Sequence, residues 1–275
     1  MKKPNAESGF SMIEMAMVLA IIGLLMGGGL LAITPVLERN KRTQTFQSLD
    51  KIEEALNLYV IRNKRLPCPA NGALAATDAN YGAALGGGAA ACSALTAGFG
   101  IVPWKTLGIE RAMAVDGWGN QISYAVSARQ ALNHTVNNND NQGVYRETDT
   151  SIPPNIWYPC ADLLVNNAAT PAVELTPGAT SASCQTGATA DRAAYVLISH
   201  GKNGAGACCN GAGTALKTGS PAAGTSEAAN NDGASPFVQN DFIQLTGNSY
   251  FDDIVRWRTA AYIVQACGSG ACGNP

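Results

Sequence analysis

The sequence predicts an α+β protein, with one long N-terminal helix and a head built on a small antiparallel sheet with long, disulfide-tied loops. Three observations carry that expectation. An apolar run over Phe10 to Ile33 passes directly into an amphipathic repeat. Short β-type segments stand well apart later in the chain. Between them lie stretches rich in Ala, Gly, Asn, Ser and Thr, punctuated by eight cysteines.

From Phe10 to Ile33 the 24 residues include Ser11 and Glu14 as the only polar side chains. At about 1.5 Å per residue a helix of that length crosses the ~30 Å hydrocarbon layer, so 10–33 is expected to be transmembrane. A carboxylate costs roughly 2.5–3.5 kcal/mol at mid-bilayer, so Glu14 needs a partner. Gly27-Gly28-Gly29 costs up to about 3 kcal/mol of helix propensity, and Pro35 removes a backbone hydrogen bond, so a kink or local melting is expected here. The same small residues also suit close helix packing in a membrane. From Val36 onward Leu37, Phe46, Leu49, Ile52, Leu56 and Tyr59 or Val60 recur every three or four residues. That spacing places one apolar stripe on an amphipathic helix over 36–63, ending before Pro67.

A net charge of −2 and a pI near 5.7 give no sign of a nucleic-acid surface. Charged residues make up only 14% of the chain, which favours long loops over a thick core. Cys68, Cys92, Cys160, Cys184, Cys208, Cys209, Cys267 and Cys272 all follow the apolar helix, which suggests disulfides formed outside the cytosol. Zinc is the rival, but there is no C-x-x-C pair and the only histidines are His134 and His200. The expected pairing closes Cys68–Cys92 and Cys160–Cys184, with Cys208 and Cys209 tied to Cys267 and Cys272, since adjacent cysteines rarely bond each other.

The head spans 64–275. Arg65 to Ala70 breaks the helix, and the Ala- and Gly-rich 73–98 is a loop held by Cys68 and Cys92. Trp104 and Leu107 are expected to pack on the second half of the long helix. In Asp116-Gly117-Trp118-Gly119-Asn120-Gln121-Ile122-Ser123-Tyr124, turn residues feed an alternating strand. Residues 193–199 are β-branched and aromatic and form a strand. A further strand is expected over Thr259 to Gln265, with Asp252 as a candidate cap for a helical turn near Ile254. No nucleophile or carboxylate stands in recognisable relation to His200, and Gly201-Lys202-Asn203-Gly204 is not a phosphate loop. The chain is therefore expected not to be an enzyme.

Gly9-Phe10-Ser11-Met12-Ile13-Glu14 before an uninterrupted apolar helix resembles the prepilin signature of type IV pilins and type II secretion pseudopilins. The resemblance implies a leader at 1–9, cleavage by prepilin peptidase between Gly9 and Phe10, N-methylation of Phe10, and a role for Glu14 in assembly. In that family the glutamate pairs with the terminal amine of a neighbouring subunit. Residues 10–63 become the spine helix of a pilin-like fold, and 64–275 a periplasmic or extracellular head. Asp116-Gly117-Trp118-Gly119-Asn120 is similar to the Asp-x-Trp-Gly-Asn motif of major pseudopilins, with Gln121 where those carry proline. Ser199 to Gly204 and Asp253 to Trp257 resemble their Ser-x-Gly-x-Asp-Gly and Asp-Ile-x-x-Trp segments, with Asn203 in place of aspartate.

In major pseudopilins those two segments fold around calcium, which implies Asn203, Asp252 and Asp253 as candidate ligands. Disulfides are the rival holder of the same loop. The implied partners are copies of itself, other pilins or pseudopilins, prepilin peptidase, an inner-membrane assembly platform and, before assembly, membrane lipid. The implied location is the bacterial inner membrane, N-terminus cytoplasmic and head periplasmic, then a pseudopilus or surface pilus. A membrane-anchored binding protein or enzyme with a pilin-like anchor is the alternative.

Overall fold

A computed structural model describes residues 11–63, 65–86, 92, 99–127, 163, 165–167, 193–209, 219–231, 237–243 and 250–267, with the side chains of 24–34, 99, 166–167, 260–261, 264 and 267 excepted. Two compact units divide the chain, 1–43 and 44–275, so the division falls inside the first helix. That helix, α1, is continuous from Met12 to Asn63 and contains Pro35. Its backbone stays helical through Gly27-Gly28-Gly29, where the sequence suggested a weak point.

In the first unit, consecutive apolar side chains stand in the open. Ile13, Met15, Met17, Val18, Leu19, Ile21 and Ile22 are each at least 43% exposed. A helix apolar on every face is stable only when something apolar covers it. Among the described residues no helix is long and apolar enough to cross a membrane. The span expected over 10–33 is only partly assessed by that statement, because the side chains of 24–34 and all of Phe10 lie outside the described residues.

The second unit is built on the C-terminal half of α1. After it come β1 (Phe99–Ile101), α2 (Trp104–Leu107), a 3-10 turn (Arg111–Ala114), β2 (Ser123–Val126), β3 (Val165–Asn167) and β4 (Ala193–Ser199). They are followed by α3 (Ser226–Ala229), β5 (Phe237–Gln239), β6 (Ile254–Thr259) and α4 (Ala260–Cys267). An antiparallel sheet has the order β1-β2-β4-β6, and β3 pairs with β5 in parallel as a separate ribbon.

Strand alternation decides which side chain meets which layer. Tyr124 and Val126 of β2 and Tyr195 and Leu197 of β4 face Leu49, Ile52, Leu56 and Val60 of α1. On the opposite face Ala125, Val196 and Ile198 pack with Phe237, Phe251 and Val255. Because β4 is covered on both sides, all seven of its residues are buried, and it reads as an unbroken apolar run. The predicted α1 stripe is present at Leu49, Ile52, Leu56 and Val60, but Leu37 and Phe46 are exposed. Trp104 and Leu107 pack at the edge of the α1-facing core.

Three expectations are corrected. The segment near Ile254 is a strand, because Val255 and Trp257 fit the β4 register opposite Ile198 and Val196. Residues 260–267 are helical instead of extended: the Thr259 hydroxyl accepts the Tyr262 N–H at 3.2 Å and caps the turn. Cys68–Cys92 forms as expected, but Cys208 is bonded to the adjacent Cys209 and not to Cys267 or Cys272. Cys208 packs beside Ala70, Tyr81 and Ile101, so close to Gly72 that a Cβ there would lie 2.8 Å from its sulfur. Cys160, Cys184, Cys272 and the side chain of Cys267 lie outside the described residues.

Candidate functional site

The cleavage junction Gly9–Phe10 lies outside the described residues. Immediately after it, the first turn of α1 is closed by a reciprocal pair. The Ser11 backbone N–H donates to Glu14 Oε2 at 2.8 Å, and the Glu14 N–H donates to Ser11 Oγ at 3.3 Å. This Ser-x-x-Glu capping box satisfies two N–H groups that a helix start would otherwise leave open. Glu14 thus has a local partner, which the requirement for a neighbouring chain had not included.

The head contains a second constellation, built from the Asp116 turn outward. Asp116 is 2% exposed. Its Oδ1 accepts the N–H groups of Trp118 and Asn120, and its Oδ2 accepts Ser199 Oγ at 2.7 Å and Asn120 Nδ2 at 3.2 Å. Burial raises its pKa, and the hydrogen bonds oppose that rise. Asn120 Nδ2 also donates to the Gly201 carbonyl at 2.8 Å, so the turn that starts β2 holds the turn that ends β4. The same turn is tied to α1, since Gly117 N–H donates to Thr45 Oγ1 and Ser48 Oγ donates to the Val115 carbonyl.

Gly201 has φ +56°, and a Cβ there would fall 2.5 Å from Asp252. Only glycine allows this approach, which lets the N–H groups of Lys202 and Asn203 donate to Asp252 Oδ2 at 2.8 and 3.0 Å. The Tyr250 hydroxyl donates to the same oxygen. Asp253 Oδ2 accepts Asn230 Nδ2 at 2.9 Å. Both Oδ1 atoms are buried without a hydrogen-bond partner. Ligand oxygens of Asp252, Asp253 and Glu227 all lie within 4.8 Å of one another. Burial, and then each other's charge, pushes the Asp253 carboxyl well above its usual range, and burial likewise raises Glu227.

Three oxygen donors and two unpartnered acceptors fit a hard divalent cation such as calcium. The expected ligands Asp252 and Asp253 are brought together. Asn203 turns its Nδ2 toward Glu227, while its Oδ1 accepts the Ala205 N–H. Glu227 was missed because nothing in its own segment marks it; its tie to Asp252 spans 25 residues.

His200 is wholly buried and held neutral, its pKa lowered to about 4 by burial. Its Nε2 lies 2.8 Å from Ser123 Oγ and its Nδ1 3.8 Å from Asp253 Oδ1. That row has the order of a hydrolytic relay, which sequence spacing did not reveal. Ser123 is 2% exposed, so its hydroxyl is closed to solvent in this structure, and only the Ser123–His200 step of the row is at hydrogen-bond distance.

Comparison with known families bears on the N-terminus. Residues 4–30 match the prokaryotic N-terminal methylation motif. This is the signature of type IV pilins and pseudopilins, and it supports the chain as a substrate of prepilin peptidase. No curated protein and no solved structure matches the chain. With the signature in place, the exposed apolar surface at Met12 to Ile22 belongs to a segment of the prepilin type, suited to a membrane-anchored or surface-assembled protein.

Proposed function

We propose that the chain is a structural subunit of a type II secretion pseudopilus or a type IV pilus-like filament. The observation that carries this reading is the methylation motif at 4–30, which runs into a helix whose exposed side chains from Met12 to Ile22 are apolar except for Glu14. Prepilin peptidase cuts between Gly9 and Phe10 and methylates Phe10. The first half of α1 waits in the inner membrane with the head in the periplasm, and an assembly platform then transfers it into the filament. There it packs against copies of itself and other pilins or pseudopilins. The N-terminal helix and small antiparallel sheet are compatible with a pilin-like fold. In the head, Asp252 and Asp253 hold calcium, which fixes the end of β4 to the start of β6.

The test is incorporation. Glu14→Ala leaves the Gly9–Phe10 junction untouched but removes the carboxylate expected to neutralise a neighbour's terminal amine. An unpaired buried charge costs several kcal/mol, and 1.4 kcal/mol is a factor of ten. Filament incorporation, measured in sheared fractions, is expected to fall at least about tenfold while leader removal continues. Normal incorporation would contradict the charge-pairing account and would leave the Ser11–Glu14 capping box as the residue's role.

A further inference from the structure

We propose that Glu227, carried by the long segment between β4 and β6, is the third carboxylate of the divalent-cation site, and that Asn203 positions it without ligating the cation. This rests on the calcium reading of Asp252 and Asp253.

Glu227 is 5% exposed, Asp252 1% and Asp253 6%. Three ionised carboxylates sharing so small a volume repel one another, and either a proton or a cation relieves that repulsion. Among the described residues no lysine or arginine is paired with any of the three; the buried His200 Nδ1 lies 3.8 Å from Asp253 Oδ1. Each aspartate is oriented through Oδ2 and keeps Oδ1 open. The donor set is oxygen alone, which favours calcium-class cations over zinc or copper.

The local fold presents Glu227 to this place. Thr225 Oγ1 accepts the Ala228 N–H at 3.2 Å and caps the single turn α3. Glu227 and Asn230, three residues apart, therefore point the same way. Asn230 reaches Asp253 Oδ2 and is locked by Val238, which it contacts through both its Nδ2 and its Oδ1. Glu227 Oε1 accepts the Asp252 N–H at 3.1 Å, and both its oxygens accept Asn203 Nδ2, at 3.1 and 3.0 Å. Asn203 thus turns donors, not an oxygen, toward the cluster. Neutral asparagine serves where a carboxylate would repel Glu227. A bound cation would staple the turn at 226–230 to 252–253, coupling a segment outside the main sheet to the strand ends.

The experiment uses the full chain in detergent, titrated with calcium chloride by calorimetry and with terbium by luminescence excited through Tyr250, whose hydroxyl bonds Asp252. Wild type is expected to bind saturably and to gain melting temperature relative to EGTA. Glu227→Gln, nearly isosteric, is expected to bind at least about tenfold more weakly, at a melting temperature in EGTA no lower than that of wild type, since it removes one of the crowded carboxylates. Asn203→Ala is expected to lose about 10–100-fold in affinity yet recover full terbium emission at saturation, as a positioning residue should. Wild-type affinity in Glu227→Gln would overturn the assignment and leave Asp252 and Asp253 as ligands. No response in wild type would overturn the calcium reading as well. Should Glu227→Gln not fold, hydrogen exchange of wild type decides: calcium should protect 226–230, and unchanged exchange there overturns the proposal.

Discussion

Replacing Asp116 by alanine is expected to lower the stability of the head by about 3–5 kcal/mol, the largest loss expected at any position outside the apolar core. Its carboxylate accepts four hydrogen bonds in a site closed to water. Each buried donor left without an acceptor costs about 1–3 kcal/mol, and the Ser199 hydroxyl and the Asn120 N–H cannot be rehydrated in place. The effect would propagate, since Asn120 also holds Gly201, and Gly201 the approach to Asp252. Denaturant unfolding should show the loss as a lower midpoint at unchanged slope. Asp116→Asn should fall between the two, because its amide would face the Asn120 amide and the Ser199 hydroxyl with donors. A loss below about 1 kcal/mol in the alanine variant would mean that the turn is held by other contacts.

Glu53→Ala should cost about 2–4 kcal/mol and act on the seam between α1 and the sheet. Glu53 sits on the core side of α1 and accepts Arg258 Nη2 at 2.9 Å, Arg256 Nη1 at 3.4 Å and the Tyr195 hydroxyl at 3.3 Å. Burial first, then the Glu53 carboxylate, keeps the Tyr195 hydroxyl well above its usual pKa, so it remains a donor. Removing one member of a buried charge group typically costs 3–5 kcal/mol, but the two guanidiniums here keep some contact with water, which lowers the figure. Arg256 retains Asp50, which it also contacts, and stacks over Phe46. A double-mutant cycle with Arg258 should therefore give a larger coupling than one with Arg256. Equal couplings would show that the network does not centre on Arg258.

The parts of the molecule that the sequence announced are those whose signal is local. β4 is a run of apolar and β-branched residues because both its faces are covered. The Asp116 turn shows its chemistry in five consecutive residues, and α1 ends where Pro67 requires it to. What stayed hidden depends on distance along the chain. Ser123 meets His200 across 77 residues, and Glu227 meets Asp252 across 25, so no window of sequence contains either pair. At 254–267 the alternating Val255 and Trp257 could serve a strand or a helix until β4 supplied a register. The Cys208–Cys209 bond reversed a general expectation that adjacent cysteines do not pair, and no sequence pattern near Cys208 marks the packing beside Gly72 and Ile101 that accompanies it. At the N-terminus, the carboxylate that looked unpartnered already closes its own helix with Ser11, so any pairing in a filament must exceed that local bond.

Mass spectrometry of the full chain, produced with and without a prepilin peptidase, decides whether the chain is processed as a prepilin. Loss of residues 1–9 and a single added methyl on the amine of Phe10 are expected, only when the peptidase is present. An intact leader, or cleavage beyond the apolar run at Ile33, would contradict that processing.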